Sequence, residues 1–283
     1  MLAEKAHYPV RTMCEVLAVS PSGYYAWQGR PLIAPRVDAN RSLRVRIRAI
    51  HAASRGRYGS PRVHAALQAA GERLGRNRVI RLMRAEQLRG RPRRRFRVTT
   101  QGDPAAVPAP NRLNQVFRAA APNRVWTGDI TAIPTGEGWL YLAVLLDLYS
   151  RRVVGWAVRT TLETDLVCAA WQMALTQRQP GPGLMHHSDR GCQYTSDRYQ
   201  VLLRAARVVV SMSRRGNCFD NAVSESFFRT LKVEIDDGCY WATRGAATAA
   251  IGSFIEGFYN TRRLHSSLNY HSPAAFEAQT RVA

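Results

Sequence analysis

Three acids stand where a charge is hard to accommodate. Asp129 lies midway along a β-rich run, "RVWTGDITAIPT" (124–135), with Thr127 and Thr131 on the same face of the strand. Asp189 ends the short strand in "GLMHHSDRG" (183–191), where a loop begins. Glu225 belongs to "GNCFDNAVSESFFRTLKVE" (216–234), an amphipathic helix in which it sits close to the bulky pair Phe227 and Phe228. A carboxylate in such a setting is costly unless it is paired or binds a cation. Fifty-nine residues separate Asp129 from Asp189 and 35 separate Asp189 from Glu225. Spacing alone selects nothing among 15 acids in residues 101–283, so the context of each carries the reading. Three converging carboxylates suit a hard cation with oxygen ligands, Mg2+ or Mn2+. Two such ions can activate an attacking oxygen and stabilise the leaving one in phosphoryl transfer.

These acids need elements to hold them. Apolar and β-branched runs predict strands over 124–135, 138–150 and 151–160, the last two joined by a tight hairpin around Asp147 to Arg151. A helix over 162–178 follows, then the short strand within 183–191. A helix over 195–207, capped by Thr195 or Ser196, leads to a strand over 208–213. The helix of Glu225 and further helical sequence over 241–264 complete the order. Three strands in a meander, then helix, strand, helix, strand, helix, is the order of a ribonuclease-H-like α/β fold with a mixed sheet. In that fold the first and fourth strands run side by side, so Asp129 and Asp189 converge at one sheet edge and the following helix carries Glu225 over them.

The charge divides the chain. Net charge is +21, but residues 1–100 hold 22 Lys and Arg against 5 Asp and Glu, whereas residues 101–283 hold 19 against 15. All but one of the 22 basic residues are arginine, whose planar fork donates two hydrogen bonds at once to phosphate. The first third therefore reads as a nucleic-acid-binding module. Its pattern is all-α: "YPVRTMCEVLAVSPSGYYAW" (8–27) gives helix, turn and helix, with Ser20 as N-cap and Pro21 in the first turn. A basic amphipathic helix over 40–54 follows. "YGSPRVHAALQAAG" (58–71) repeats the turn grammar with Ser60 as cap, and the helix over 75–90 makes a second helix-turn-helix unit. The arginine-dense "RGRPRRRFRVTT" (89–100) supplies Arg91, Arg93, Arg94 and Arg95 for phosphate contacts. The Pro/Ala-rich stretch 101–122 has linker composition. The expected organisation is a basic helix-turn-helix region over 1–100, a linker over 101–122 and the α/β core with a helical tail over 123–283.

Several classes are excluded. No run approaches the ~20 apolar residues of a membrane span. Five cysteines, odd in number and without a CxxC pair, argue for a reducing cytoplasm and against a disulfide framework or zinc site.

The segments "WTGDITAIPT", "YLAVLLDLYSRRVVGWAV", "HHSDRGCQYTS", "SMSRRGNCFDNAVSESFFRTLKVE" and "FIEGFYNTRRLHSSLNYHSPAAF" resemble the DDE transposases of bacterial insertion elements. More narrowly, they resemble the second-frame product of the family typified by insertion sequence three, relatives of retroviral integrase cores. The resemblance runs from about residue 8 to 278. It implies that Asp129, Asp189 and Glu225 form the catalytic, metal-holding triad, with two Mg2+ or Mn2+ ions. It also implies strand cleavage and strand transfer at the ends of an element, in a bacterial cytoplasm and on the nucleoid. Implied partners are terminal inverted repeats and target DNA, further copies of the chain, and a first-frame protein or frameshift fusion, since no leucine heptads are visible here. Lys232 matches the family's basic residue seven positions after Glu225, two turns or ~10 Å along the same helix face, and suits a phosphate or terminal-base contact; a solvated helix charge is the alternative.

Further DNA-contact candidates are His187, which is equally compatible with a structural role, and Arg262 and Arg263 in the tail, with His265 beside them. Asp147 reads as a turn cap and Asp220 as an N-cap for the Glu225 helix. Cys192 stands where relatives commonly carry Ser. Two other functions fit the same residues: a ribonuclease-H-like nuclease, and a non-catalytic DNA-binding regulator of transposition.

Overall fold

The computed structural model describes residues 4–29, 35–90, 108–214, 217–235 and 241–280. The chain forms two compact units, Met1–Gly90 and Arg91–Ala283.

Every regular element described in the first unit is a helix: α1 (Val10–Val16), α2 (Pro21–Gln28), α3 (Pro35–Ala53), α4 (Ser60–Ala69) and α5 (Arg76–Ala85). Ser20 caps α2, its hydroxyl accepting from the Gly23 amide at 3.0 Å with Pro21 in the first turn. Ser60 does not repeat the device. Helix α4 begins at Ser60 itself, after Gly59, and has no side-chain cap; proline is tolerated in the first turn because its missing amide would have had no helical partner. Leu43, Ile47, Val63, Leu67, Val79, Leu82 and Met83 are buried and form the apolar stripes of α3, α4 and α5. On α5 that stripe leaves Arg76, Arg81 and Arg84 exposed.

The second unit is built on a five-stranded sheet: β1 (Val125–Thr135), β2 (Gly138–Asp147), β3 (Val153–Arg159), β4 (Met185–Ser188) and β5 (Val209–Met212). The strand order is β3-β2-β1-β4-β5. Strands β1, β2 and β3 pair antiparallel, and β1–β4 and β4–β5 pair parallel. Helix α6 (Thr164–Arg178) links β3 to β4, and α7 (Cys192–Thr195) with α8 (Asp197–Ala205) links β4 to β5. After a 3-10 turn (Cys218–Asn221) come α9 (Ala222–Ile235), α10 (Arg244–Phe254), which runs on as a π-helical turn (Ile255–Tyr259), a 3-10 turn (Ser266–Leu268) and α11 (Pro273–Thr280). This is the expected ribonuclease-H-like arrangement.

Two boundaries differ from the sequence reading, each for a local reason. Strand β2 stops at Asp147 rather than 150, because that carboxylate accepts from the Tyr149 and Asn123 amides at 2.9 and 2.7 Å and turns the chain. The helix expected over 195–207 is α8, with Ser196 as its cap, and the short α7 before it was not expected. Ser196 between them has extended backbone, and its hydroxyl accepts from the Tyr199 amide at the start of α8.

The two-residue alternation of β1 gives the sheet two different faces. Trp126 packs edge-on against Trp171 of α6, with ring centroids 5.6 Å apart, and His186, Tyr194 and Tyr199 complete an aromatic cluster on that side. His186 is fully buried, 3.0 Å from the Tyr199 hydroxyl, and burial lowers its pKa to about 3, so it stays neutral. Thr127 and Asp129 point to the opposite face, which α9 covers.

Helix α6 lies against β3 so closely that a Cβ at Gly155 would run into the Ala170 carbonyl oxygen and lie 2.7 Å from Ala174 Cβ. Gly155→Ala is therefore expected to lower the thermal midpoint by several degrees, a cost of about 1–3 kcal/mol for an overpacked contact. Gly181, where an added Cβ meets nothing within 4 Å, supplies the control: Gly181→Ala should stay within about 0.5 kcal/mol of the parent. Equal midpoints for the two variants in calorimetry would refute the close approach.

Candidate active site

Strand register brings the first two acids together. Thr127 on β1 pairs with His187 on β4 in a parallel ladder. Two residues further along each chain stand Asp129, on the same face of β1 as Thr127, and Asp189, close enough for its charge to act on Asp129. Asp189 lies just past β4, where its Oδ1 accepts from the Gly191 amide at 2.9 Å. The next residue, Arg190, donates through Nε to the Ser213 carbonyl at 2.6 Å and ties this turn to the end of β5. Asp129 is half-buried and accepts from the Ile130 amide at 2.8 Å. Its pKa is raised well above the usual carboxylate value, first by burial, then by the charge of Asp189 and, more weakly, of Glu225; the Ile130 amide and Lys232 oppose the rise.

Helix α9 supplies the third acid. Phe227, Phe228, Leu231 and Ile235 are its buried stripe, and Phe227 meets Tyr259 edge-on at 4.8 Å. Glu225 stands in the first turn beside that stripe, where the helix dipole favours a negative charge. Burial raises its pKa, and Arg229, one turn on, opposes the rise. The start of α9 is fastened to β1: the Thr127 hydroxyl donates to Asn221 Oδ1 at 2.8 Å and lies 3.1 Å from Ser224 Oγ. Lys232, two turns beyond Glu225, is half-buried. Burial lowers its pKa to about 8 while the charge of Asp129 opposes that shift, so its ammonium lies within electrostatic range of Asp129.

The donor set suits a divalent cation by its chemistry. The carboxylates supply hard oxygens, Asp129 is pushed toward protonation by the other two, and a bound cation would reverse that push. Among the described residues, no three His, Cys, Asp or Glu side chains already close into a metal cage.

The other candidates separate sharply. His187 is fully buried, Nδ1 is 2.9 Å from Ser211 Oγ, Nε2 is 3.2 Å from Ser213 Oγ, and burial lowers its pKa to about 4. A neutral ring with both nitrogens engaged presents nothing to a phosphate, which corrects its assignment as a DNA contact. Arg263 is corrected for a similar reason: it is buried and paired with Glu234 at 2.9 Å. Arg262 is exposed, and His265 is half-buried with its ring edge-on to Tyr259 at 5.0 Å. Arg91, Arg93, Arg94 and Arg95 lie outside the described residues. Asp147 is the turn cap its position implied. Asp220 is not a helix cap: Arg214, Asn111 and Gln115 take up its carboxylate oxygens at 2.8–3.0 Å, and the bonds from Arg214, with a lesser one from Gln115, hold its pKa far below the usual range. The bonds of Thr127 to Asn221 and Ser224 went unread in the sequence. A usable signal was present, since Thr127 shares a strand face with Asp129, and Asn221 precedes Glu225 by one helical turn.

Comparison with known proteins gives this geometry a family. Residues 119–218 and 206–273 each match a family profile described as Integrase core domain, and residues 38–96 match one described as HTH-like domain. The insertion element IS600 uncharacterized 31 kDa protein of Shigella sonnei is 42% identical over 265 residues, covering 93% of this chain and 97% of that protein. The transposase InsF for insertion sequence IS3A of Escherichia coli K12 is 39% identical over 274 residues, covering 96% of this chain and 95% of that protein. Among solved structures, the HTLV-2 integrase catalytic core domain in complex with magnesium aligns with a TM-score of 0.45 at 16% identity, over 56% of this chain and 99% of that one. By the length and identity of its match to InsF, the chain belongs to the family of insertion-element transposases that includes the IS3 transposase.

Proposed function

We propose that this protein is a DNA transposase that cuts and joins strands at the ends of its own insertion element, with Asp129, Asp189 and Glu225 as catalytic ligands of two divalent cations, Mg2+ or Mn2+. The observation that carries this reading is the placement of the acids: Asp129 on β1, Asp189 in the turn just past the neighbouring β4, and Glu225 in the first turn of α9, whose start is hydrogen-bonded to β1 beside Asp129. When bound, the ions supply Lewis-acid stabilisation of the attacking and leaving oxygens. The chain's own residues do the rest. Asp129 is carried by β1, Asp189 by the turn just past β4, and Glu225 by the first turn of α9. Lys232, on the same side of that helix, offers an ammonium to the DNA backbone, and Arg262 in the tail adds an exposed guanidinium.

The first unit is assigned to DNA. Its arginine excess and the exposed Arg76, Arg81 and Arg84 of α5 suit the phosphates of an element end. Residues 1–100 would thus be the binding region, 101–122 the tether and 123–283 the catalytic core. Recognition of terminal repeats and target DNA, self-association on that DNA, and cooperation with a first-frame protein or fusion in the bacterial cytoplasm complete the proposal.

Asp129→Asn, Asp189→Asn and Glu225→Gln each keep side-chain shape and remove the charge that would hold a cation. Each is expected to abolish metal-dependent cleavage of an element-end duplex while leaving duplex binding within a factor of about two. Near-normal cleavage by any one of them would remove that residue from the ligand set.

Melting curves test the same assignment without turnover. The folded-state pKa of Glu225 is raised, so its ionised form costs stability above the ordinary glutamate range, and Glu225→Gln relieves that cost at neutral pH. The variant should melt at or above the wild-type midpoint in chelator and show a smaller rise with Mn2+. Equal Mn2+ shifts in both proteins would leave Glu225 an ordinary helix charge.

Counterion release supplies a test for the first unit. If about 6–10 phosphates are neutralised, full-length protein should lose about 10³–10⁵ in duplex affinity between about 50 and 200 mM salt. Replacing Arg76, Arg81 and Arg84 together by Ala should flatten the slope of log affinity against log salt by nearly three units. An unchanged slope would place those arginines off the DNA.

A further inference from the structure

The contact between α9 and β1 is polar and sealed at the end nearest the candidate ligands. Thr127, Asn221 and Ser224 are 1%, 6% and 0% exposed. The single Thr127 hydroxyl proton goes to Asn221 Oδ1 at 2.8 Å, so in the 3.1 Å contact between Thr127 and Ser224 the serine is the donor. The Asn221 amide nitrogen also reaches toward the Gly128 carbonyl at 3.5 Å. The residues fastened on the strand are thus the two that precede Asp129. Those fastened on the helix are Ser224, which precedes Glu225, and Asn221, one turn before it.

Apolar packing does not explain these bonds. Phe227, Phe228 and Leu231 already hold α9 down, and a non-directional apolar seam tolerates small slides and rotations. Each residue of α9 advances 1.5 Å and turns 100°, so a modest slip would carry Glu225 away from Asp129. Hydrogen bonds have a length window of a few tenths of an ångström and a preferred direction, and a buried polar network that must be satisfied admits one register. We propose that Thr127, Asn221 and Ser224 are positioning residues that set the rotation and axial register of α9 on β1, so that Glu225 and Asp129 can share a divalent cation. The proposal rests on the assignment of Asp129 and Glu225 as ligands. None of the three is a ligand itself; each acts through the carboxylate next to it.

Thr127→Val tests this at nearly constant volume, and Thr127→Ser restores the hydroxyl. Full-length protein is titrated with Mn2+ while its thermal midpoint is followed, and cleavage of an element-end duplex is measured in parallel. In Thr127→Val the Mn2+ concentration for half the midpoint shift should rise by about 10-fold or more, as when outer partners of metal ligands are lost. Duplex binding in chelator should stay unchanged, and cleavage at saturating Mn2+ should fall by a similar factor. Thr127→Ser should return within about threefold of wild type. A Thr127→Val titration that overlays the wild type overturns the proposal, as does a Thr127→Ser variant as impaired as the valine. Should Thr127→Val fail to fold, Ser224→Ala is read by the same criteria. Asp129→Asn separates the two levels. If it keeps the wild-type Mn2+ shift, the ligand assignment has failed and the positioning proposal falls with it. If it loses the shift while Thr127→Val keeps it, only the positioning proposal has failed.

Discussion

A carboxylate such as Asp129, enclosed by protein and facing the charges of Asp189 and Glu225, stays ionised only against a free-energy cost. Folding must therefore hold Asp129 in place by interactions stronger than that cost. Strand β1 carries Asp129, and the turn just past the neighbouring β4 carries Asp189. Helix α9 carries the third acid, held by a buried apolar stripe and a polar fastening at its first turn. The same cost makes the arrangement useful: a group of anionic oxygens destabilised by mutual repulsion gains most from a multivalent cation.

Asp220 shows how the approach to this site is secured. Its carboxylate is chelated by the Arg214 guanidinium at 2.8 and 3.0 Å, accepts from the Arg214 amide at 2.8 Å, and takes a further bond at 2.9 Å from each of Asn111 and Gln115. The amides of Arg112 and Leu113 donate to Ser211 Oγ, the hydroxyl that also holds His187. The stretch that leads the chain into β1 is thereby tied to β5 and to the turn that opens α9. At the opposite end of the chain, Glu277 of α11 binds Arg178 of α6 through two bonds of 2.8 Å and accepts from Ser150 at 2.6 Å. The residues before the sheet and the last helix after it are thus both fastened by buried carboxylates.

The elements themselves and the opposite faces of Trp126 and Asp129 follow from patterns local in sequence, alternation in β1 and helical periodicity in α6, α8 and α9, and the strand pairing followed from the fold type that their order matched. Those patterns were legible. What was not legible depends on partners far apart in the chain. Asp220 lies 109 residues from Asn111, and a sequence window around the turn sees an aspartate before a helix, which is the ordinary signature of a cap. His187 and Arg263 misled for the same reason. A basic residue near candidate ligands looks available to a phosphate until its partners, Ser211 and Ser213 in one case and Glu234 in the other, are placed around it. Ser60 misled on a smaller scale, because Ser-Pro begins α2 and α4 alike and only the backbone distinguishes a cap from a first helical residue.

A common criterion sorts these polar groups. Asp220, Glu277 and His187 are buried and engaged through several atoms, so any further ligand would have to displace a bond already made. Asp147 shares their engagement although burial raises its pKa to about 6, since both its oxygens accept backbone amides. A raised pKa by itself therefore does not mark a reactive carboxylate. Asp129 and Glu225 differ in what surrounds them. Among the described residues, Asp129 accepts one hydrogen bond, from the amide next to it, and Glu225 accepts none, while both are held against desolvation on a face shared with Asp189 and Lys232. Partly desolvated oxygens with open lone pairs are what the proposed cation would require. Under the proposed function, the packing of α9 beside β1 is what would present Glu225 to such a cation.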